Sequence, residues 1–340
     1  MKSKLGKRWT NDRTELQKVI PLETPLLLYV DPSSICNFRC KFCPCGGANK
    51  EVWSKEKKAS IMSYEVYRKV INDLTEFPQK LKTLRLYKEG EPLCNKHLPD
   101  MIHYARKKDV AERIDFTTNG YLFDKDTTLA LMDAGVDRIN ISIEALDDKG
   151  YADVSGVKLN FKEYLEKLHF LYLNKNSCHI FVKISDLGLG NYTEQDFYNM
   201  FGDISDEMAV EHVSNVWPEF QVKEELKKTS DLDIYGETMS RRVECQVCPY
   251  LFYSLCINSD GSVSACLMDW NHQLIVGDVR EQSLMEIWNG EQMQQMRKQH
   301  LLLKKSSYHI CENCGQLKYA VLDNIDSYRE EILEKMQMAE

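Results

Sequence analysis

No apolar run in this chain approaches the ~18 residues that a helix needs to cross a bilayer. The stretch from Met1 to Glu23 is charged throughout and lacks the apolar core of a secretory signal. Both absences predict a cytoplasmic protein without a membrane partner. Low-complexity tracts are missing, as is any repeat of about 20–50 residues. Positive charge is also in short supply: 44 Lys and Arg stand against 52 Asp and Glu, a net charge of −8. That balance argues against a broad phosphate-binding face and so against nucleic acid as the main partner, though a local basic pocket is compatible with it. Apolar residues at 43% and charged residues at 28% are ordinary for a folded protein, and 340 residues suffice for two domains and a large core.

Cysteine is what the chain has in quantity, twelve in all. In a reducing compartment that many thiols point to metal or catalysis rather than to a disulfide framework. Three of them, Cys36, Cys40 and Cys43, lie at spacing C-x3-C-x2-C in a loop just after the apolar run Leu26–Val30. A cubane [4Fe–4S] cluster has four irons to ligate. Three thiolates leave one iron open, and an open iron can bind a small molecule and pass it an electron. A zinc site prefers four closed ligands.

From Leu26 to about Val213 short apolar runs alternate with amphipathic ones. The runs Leu26–Val30, Thr83–Tyr87, Arg113–Thr117, Arg138–Ile143, His179–Ile184 and Met208–Val213 read as strands. Tyr64–Leu74, Leu98–Lys108, Asp124–Ala134 and Asn160–Asn174 read as helices, with Ser63 capping the first and Gly135 stopping the third. Strand–helix alternation predicts an α/β fold, a partial (β/α)6 TIM-type barrel, whose chemistry sits at the C-terminal ends of the strands. The three-cysteine loop holds that position. Trp217–Arg242 is polar and reads as a connection, or as a helix across the barrel. Beyond Glu244, Tyr253–Ile257 and Ser262–Cys266 flank Asn258-Ser259-Asp260-Gly261, a strong hairpin signal. Ser283–Leu303 and Asp323–Met336 read as helices.

The pattern C-x3-C-x-Phe-C, with Phe42 before its last cysteine, resembles the signature of the radical S-adenosylmethionine (radical SAM) enzymes. In that family the open iron chelates S-adenosylmethionine, and one electron releases a 5′-deoxyadenosyl radical that abstracts hydrogen from substrate. The resemblance implies Cys36, Cys40 and Cys43 as cluster ligands and a donor such as flavodoxin or ferredoxin. Gly90-Glu91-Pro92 resembles the family's Gly-Gly-Glu turn for the methionyl ammonium, with Glu89 in place of the first glycine; the plain reading is an ordinary loop turn. Thr117-Thr118-Asn119-Gly120 resembles its Thr-Asn-Gly turn, in which Asn119 serves the turn or the cosubstrate. Ser142 and Glu144 share one side of a strand, and the resemblance sets them against the ribose or methionine part. Lys183 is set against the methionyl carboxylate; its plain reading is a solvated surface lysine.

A second set, Cys248-x12-Gly261-x4-Cys266 followed by Cys311-x2-Cys314, resembles the C-terminal extension of the SPASM/twitch subgroup. The C-x2-C-x5-C-x3-C run of a full SPASM domain is absent. The resemblance therefore implies a single auxiliary [4Fe–4S] cluster on Cys248, Cys266, Cys311 and Cys314, with a structural zinc as its rival. The chain then divides into an extension (1–25), the barrel (26–215), a connection (216–243) and a small twitch/SPASM-like domain with a β-hairpin and helices (244–340). Cys178 and Cys256 read as buried small hydrophobes, while the role of Cys45 stays open. Cys94 and Cys245 are candidate reactive thiols, Cys245 as an alternative ligand or as a hydrogen donor. The layout resembles the twitch dehydrogenase of aminoglycoside biosynthesis, which implies oxidation of a hydroxyl-bearing small molecule: a sugar, aminocyclitol or nucleotide sugar. An epimerase, a dehydratase and a peptide-modifying enzyme share the plan. The last of these usually carries an N-terminal recognition domain, for which about 25 residues are too few. A non-enzymatic iron–sulfur or zinc scaffold is the remaining reading, and it has no use for an open cluster.

Overall fold

Apolar residues at every second position of six runs, bounded by turns, decide the architecture. The structure, a computed structural model, describes residues 3–6, 13–45, 47–53, 57–227, 231–241 and 245–338. Parts of the N-terminal extension, and residues 228–230 and 242–243 of the expected connection, lie outside the described residues. One sheet contains β1 (Lys4–Leu5), β2 (Leu27–Val30), β3 (Leu81–Arg85), β4 (Ala111–Thr118), β5 (Arg138–Ile143), β6 (His179–Ser185), β7 (Glu207–Glu211), β8 (Ser254–Ile257), β9 (Ser262–Ser264) and β10 (Ile275–Asp278). Its order is β1-β7-β6-β5-β4-β3-β2-β8-β9-β10. Strands β2 to β7 are the six predicted parallel strands. Parallel β8 continues the sheet beside β2, pairing Leu27 with Ser254 and Val30 with Ile257, and the antiparallel hairpin follows it. The C-terminal extension thus grows out of the barrel's own sheet.

One face of the sheet is apolar. Leu28, Val30, Leu84, Ile114, Phe116, Ile139, Ile141, Ile180 and Val182 are all buried there. The helices that flank the sheet are α1 (Leu16–Val19), α2 (Tyr64–Leu74), α3 (Leu98–Lys108), α4 (Lys125–Ala134), α5 (Asp148–Ser155), α6 (Phe161–Leu173) and α7 (Glu194–Phe201). Helix α2 starts where Ser63 Oγ accepts from Val66 N–H at 3.2 Å, and α4 stops at Gly135, whose φ is +84°. By the period of two the other face carries Tyr29, Arg85, Asp115, Arg138, Asn140, Lys183, Glu207 and Glu211. These residues pair across strands: Arg85 grips Asp115 at 2.8 and 3.0 Å, Arg138 reaches Glu207 at 3.1 Å, and Lys183 meets Glu211 at 2.6 Å.

Several features depart from expectation, among them the late start of the last helix, expected over Asp323–Met336 and found from Arg329. Helices α5 and α7 were not foreseen, and both are short. The described part of Trp217–Arg242 forms no α-helix, only 3₁₀ turns at Glu224–Leu226 and Met239–Arg241. Phe220 and Val222 instead pack with Val213, Trp270 and Cys45. Ser283–Leu303 is two helices, not one. After α8 (Tyr250–Tyr253) come α9 (Leu284–Asn289) and α10 (Glu291–Leu301), which meet at Gly290 in extended backbone. The chain closes with α11 (His309–Glu312), α12 (Gln316–Tyr319) and α13 (Arg329–Met338).

Candidate active site

The three-cysteine loop leaves the C-terminal end of β2 and is held by its main chain. Arg39 N–H donates to Ser155 O at 2.8 Å and Lys41 N–H to Val154 O at 3.1 Å, so the C-terminal turn of α5 anchors it. Phe38, 1% exposed, is packed against Tyr121 and Tyr151. On the other side Glu91 N–H donates to Ile35 O at 3.0 Å. A Cβ at Gly90 would lie 2.3 Å from Ser33 O and 2.5 Å from Ile35 O, so only glycine allows this approach. Cys43 N–H turns back to Cys40 O at 3.3 Å. Burial pushes the Cys36 thiol up to about 12, and burial with nearby Glu144 and Cys36 holds Cys40 well above its ordinary value. Holding these groups as thiolates would take the positive charge of a bound metal. Phe42 packs beside Cys43 and Cys45 in the cluster around Trp270.

The expected cosubstrate residues gather around this loop. Glu91 is buried at the end of the turn after β3. Its carboxylate accepts from Thr118 Oγ1 at 2.6 Å, Asn119 N–H at 2.8 Å and Leu93 N–H at 3.0 Å. Pro92 opens the 3₁₀ turn that Glu91 caps. Burial lifts the Glu91 carboxyl to about 7 against those three donors. Asn119 spends its side chain on structure: Nδ2 donates to Asn37 Oδ1 at 2.8 Å, and Oδ1 accepts from Tyr121 N–H at 3.0 Å. Glu144 lies beyond β5 on the polar face, in hydrogen-bond contact with Cys40, and burial lifts its carboxyl to about 7. Ser142 sits two residues before it, in register with Lys183. Lys183 is not a solvated lysine; it is mostly enclosed and paired with Glu211. Cys94 adjoins this group. Burial and then Glu91 push its thiol up to about 11, while Asn37 N–H donates to it.

The second thiol set also assembles. Burial raises Cys248, and the charges of Cys314 and Cys311 add to the shift; Cys266 is raised by burial and then by Cys248, Cys256 and Cys314. Cys311 and Cys314 rise to about 12 and about 11, burial first. The four lie on three segments of the chain and still feel one another. Among the described residues no three Cys, His, Asp or Glu side chains stand close enough to share one metal ion. Cys245 borders this set, but its thiol faces Val247 O at 3.2 Å and Asp323 O at 3.7 Å, among Leu317 and Val321. Cys178 and Cys256 are buried at 1% and 0% exposure, as their strand positions suggested.

Between the two sets lies a group that the sequence did not announce. Glu89 is enclosed with Lys57, Lys88 and His272, and beside them stands Asp31. Only Glu89 carried a signal, as the residue in place of the first glycine.

Comparison with known proteins agrees with this geometry. Residues 30–204 match the Radical SAM superfamily, and residues 248–315 match SPASM, an iron-sulfur cluster-binding domain. A probable GTP 3′,8-cyclase of Methanococcus maripaludis is 34% identical over 121 residues, 35% of this chain and 37% of that protein. One from Sulfolobus acidocaldarius is 28% identical over 211 residues, 53% of this chain and 64% of that protein. The chain thus spans between about a third and two thirds of the length of these relatives. Among solved structures, BtrN in complex with AdoMet and 2-DOIA superposes with a TM-score of 0.54 at 18% identity, covering 88% of this chain and 97% of that one. Streptococcus suis SuiB bound to S-adenosylmethionine gives 0.61 at 15% identity, covering 89% of this chain and 74% of that one. These last two likenesses establish the fold. The chain belongs to the radical SAM superfamily and carries a C-terminal SPASM iron–sulfur domain, with S-adenosylmethionine and [4Fe–4S] clusters as its cofactors.

Proposed function

We propose that this chain is a radical SAM oxidoreductase acting on a hydroxyl-bearing small molecule such as a sugar, aminocyclitol or nucleotide sugar. The observation that carries the reading is the C-terminal set of Cys248, Cys266, Cys311 and Cys314. A cluster with four protein thiolates has no corner left for substrate; its natural task is to take an electron. Bound at the three-thiol loop, S-adenosylmethionine supplies a 5′-deoxyadenosyl radical able to remove a hydrogen atom from substrate. The protein's share is to bind, orient and exclude water. Glu91 receives the methionyl ammonium. Glu144 and Ser142 would hold the ribose or methionine part, Lys183 would meet the methionyl carboxylate, and Asn119 holds the cysteine loop through Asn37. The sheet's polar face, which carries Asn140, Ser142 and Lys183, is in keeping with a substrate rich in hydroxyls. Residues 26–215 act as the barrel and 244–340 as the domain that holds the second cluster. The electron donor is a flavodoxin or ferredoxin, and the setting is the cytoplasm. Oxidation needs no hydrogen donor, so neither Cys94 nor Cys245 has to serve as one.

The test is a screen of reconstituted, reduced protein with S-adenosylmethionine and candidate sugars and aminocyclitols, with GTP and a peptide in parallel because of the relatives and folds above. The expected result is 5′-deoxyadenosine together with a product lacking two hydrogens. A product isomeric with the substrate in ordinary water that takes up one deuterium in heavy water would make the protein an epimerase, and loss of water a dehydratase. Turnover of GTP or the peptide alone would replace the substrate class.

A further inference from the structure

The buried group between the two thiol sets is a closed knot of charge. The Glu89 and Lys57 side chains are 1% and 0% exposed, and they meet at 2.8 Å. Lys88, also 0% exposed, spends all three N–H donors: on Glu89 Oε1 at 2.7 Å, Asn258 Oδ1 at 2.7 Å and Asp269 O at 2.8 Å. Lys57 also donates to Trp270 O, reaches Cys45 Sγ at 3.9 Å and lies over the rings of Trp53 and Trp270. His272 Nε2 lies 2.8 Å from Glu89 Oε1. Burial works to raise the Glu89 carboxyl, but Lys88, His272 and Lys57 outweigh it and hold it far below its ordinary value. Asp31 Oδ1 accepts from Glu89 N–H at 3.4 Å, and its Oδ2 has no hydrogen-bond partner among the described residues. Burial and the charge of Glu89 lift the Asp31 carboxyl to about 7, so near neutrality it does not add a full second negative charge.

The partners show what the knot ties. Three of its contacts fall on Asp269, Trp270 and His272, the loop directly after Cys266. Asp269 N–H donates to Cys266 O at 3.1 Å, and the Asp269 carboxylate accepts from Gln273 N–H, Leu274 N–H and Ser264 Oγ, so the loop is rigid in itself. On the other side Glu89 is followed by Gly90 and Glu91, the turn that braces the cysteine loop. A satisfied buried network rigidifies what it joins, and removing one partner leaves an uncompensated charge.

We infer that Glu89 is a positioning residue: its carboxylate fixes the loop that follows Cys266 to the Gly90-Glu91 turn, and so sets the distance and orientation of the auxiliary cluster relative to the S-adenosylmethionine site. This rests on Cys266 as an auxiliary ligand, assigned above, and not on which substrate is oxidised. A glycine at this position has no carboxylate to offer, and the departure from Gly-Gly-Glu is what makes the knot.

The experiment uses the holoprotein with both clusters reduced and measures inter-cluster distance by pulsed electron paramagnetic resonance and the auxiliary midpoint potential by redox titration. Glu89→Gln keeps the shape and removes the charge; His272→Gln removes a single partner and covers the case in which Glu89→Gln does not load iron. The expected result is loss of the narrow inter-cluster distance distribution and a shifted auxiliary potential in both variants, with iron content retained at least in His272→Gln. A role in folding alone lowers the yield of loaded protein but leaves the distance and potential of the loaded fraction at wild-type values, and that result overturns the inference. Cys266→Ala, measured alongside, loses the auxiliary signal if the ligand assignment holds. If it keeps the signal, the assignment has failed, and the distances in the other two variants still decide whether Glu89 is the joint.

Discussion

The Glu91 carboxyl is enclosed, and burial carries it from its ordinary 4.5 to about 7 despite donors from Asn119, Thr118 and Leu93. A carboxyl raised in this way helps the folded state while it is protonated: the contribution is whole below pH 4.5 and is lost as pH climbs through about 7. A bound ammonium favours the charged form instead. Affinity for S-adenosylmethionine is therefore expected to rise with pH up to about 7 and then level off. Glu91→Gln is expected to flatten that dependence and weaken binding by roughly ten- to hundredfold, the worth of one charge-assisted hydrogen bond. An anaerobic binding titration reads both, and unchanged affinity would remove the role. Glu91 was legible because its turn follows a strand and carries a known pattern. Lys57, Asp31 and His272 were not: they lie 32, 58 and 183 positions from Glu89, and nothing local marks an ion pair that closes over such distances.

Elements with a strong local code were readable to within a residue or two. Helices α2 and α3 begin and end where their amphipathic pattern does, and β5 matches its run. Helix α5 escaped because eight residues that bury only Tyr151, Val154 and Ser155 make too short a stripe. Its function lies in its last carbonyls, which hold Arg39 and Lys41. The extended Gly290 splits one expected helix into two, and the sequence there has only a single glycine to show for it. The turn before Glu91 gives the sharpest test at this level. A methyl at position 90 would press on two main-chain carbonyls of the cysteine loop, which cannot swing aside as a side chain can. Gly90→Ala is expected to lose about half of the bound iron while the C-terminal cluster stays, as read by an iron assay and the remaining cluster spectrum. Full iron in that variant would mean the loop tolerates the shift.

For the molecule as a whole, composition and strand–helix alternation were enough to place a partial barrel and a smaller cysteine-bearing extension. They did not reveal that the two share one sheet. The pairing of Leu27 with Ser254 joins residues far apart in the chain, and parallel neighbours carry no turn to announce them. That joint, with the knot around Glu89, ties the segment that carries the second thiol set to the barrel's sheet. The account stands on two clusters, one open and one closed. Anaerobic iron and sulfide quantification tests it most directly, comparing wild type with the Cys36→Ala/Cys40→Ala/Cys43→Ala variant and following S-adenosylmethionine cleavage after reduction. The predicted result is about eight irons falling to about four, with cleavage lost. About four irons falling to none, with zinc at the C-terminal thiols, would contradict it, as would a fully loaded wild type that cleaves nothing.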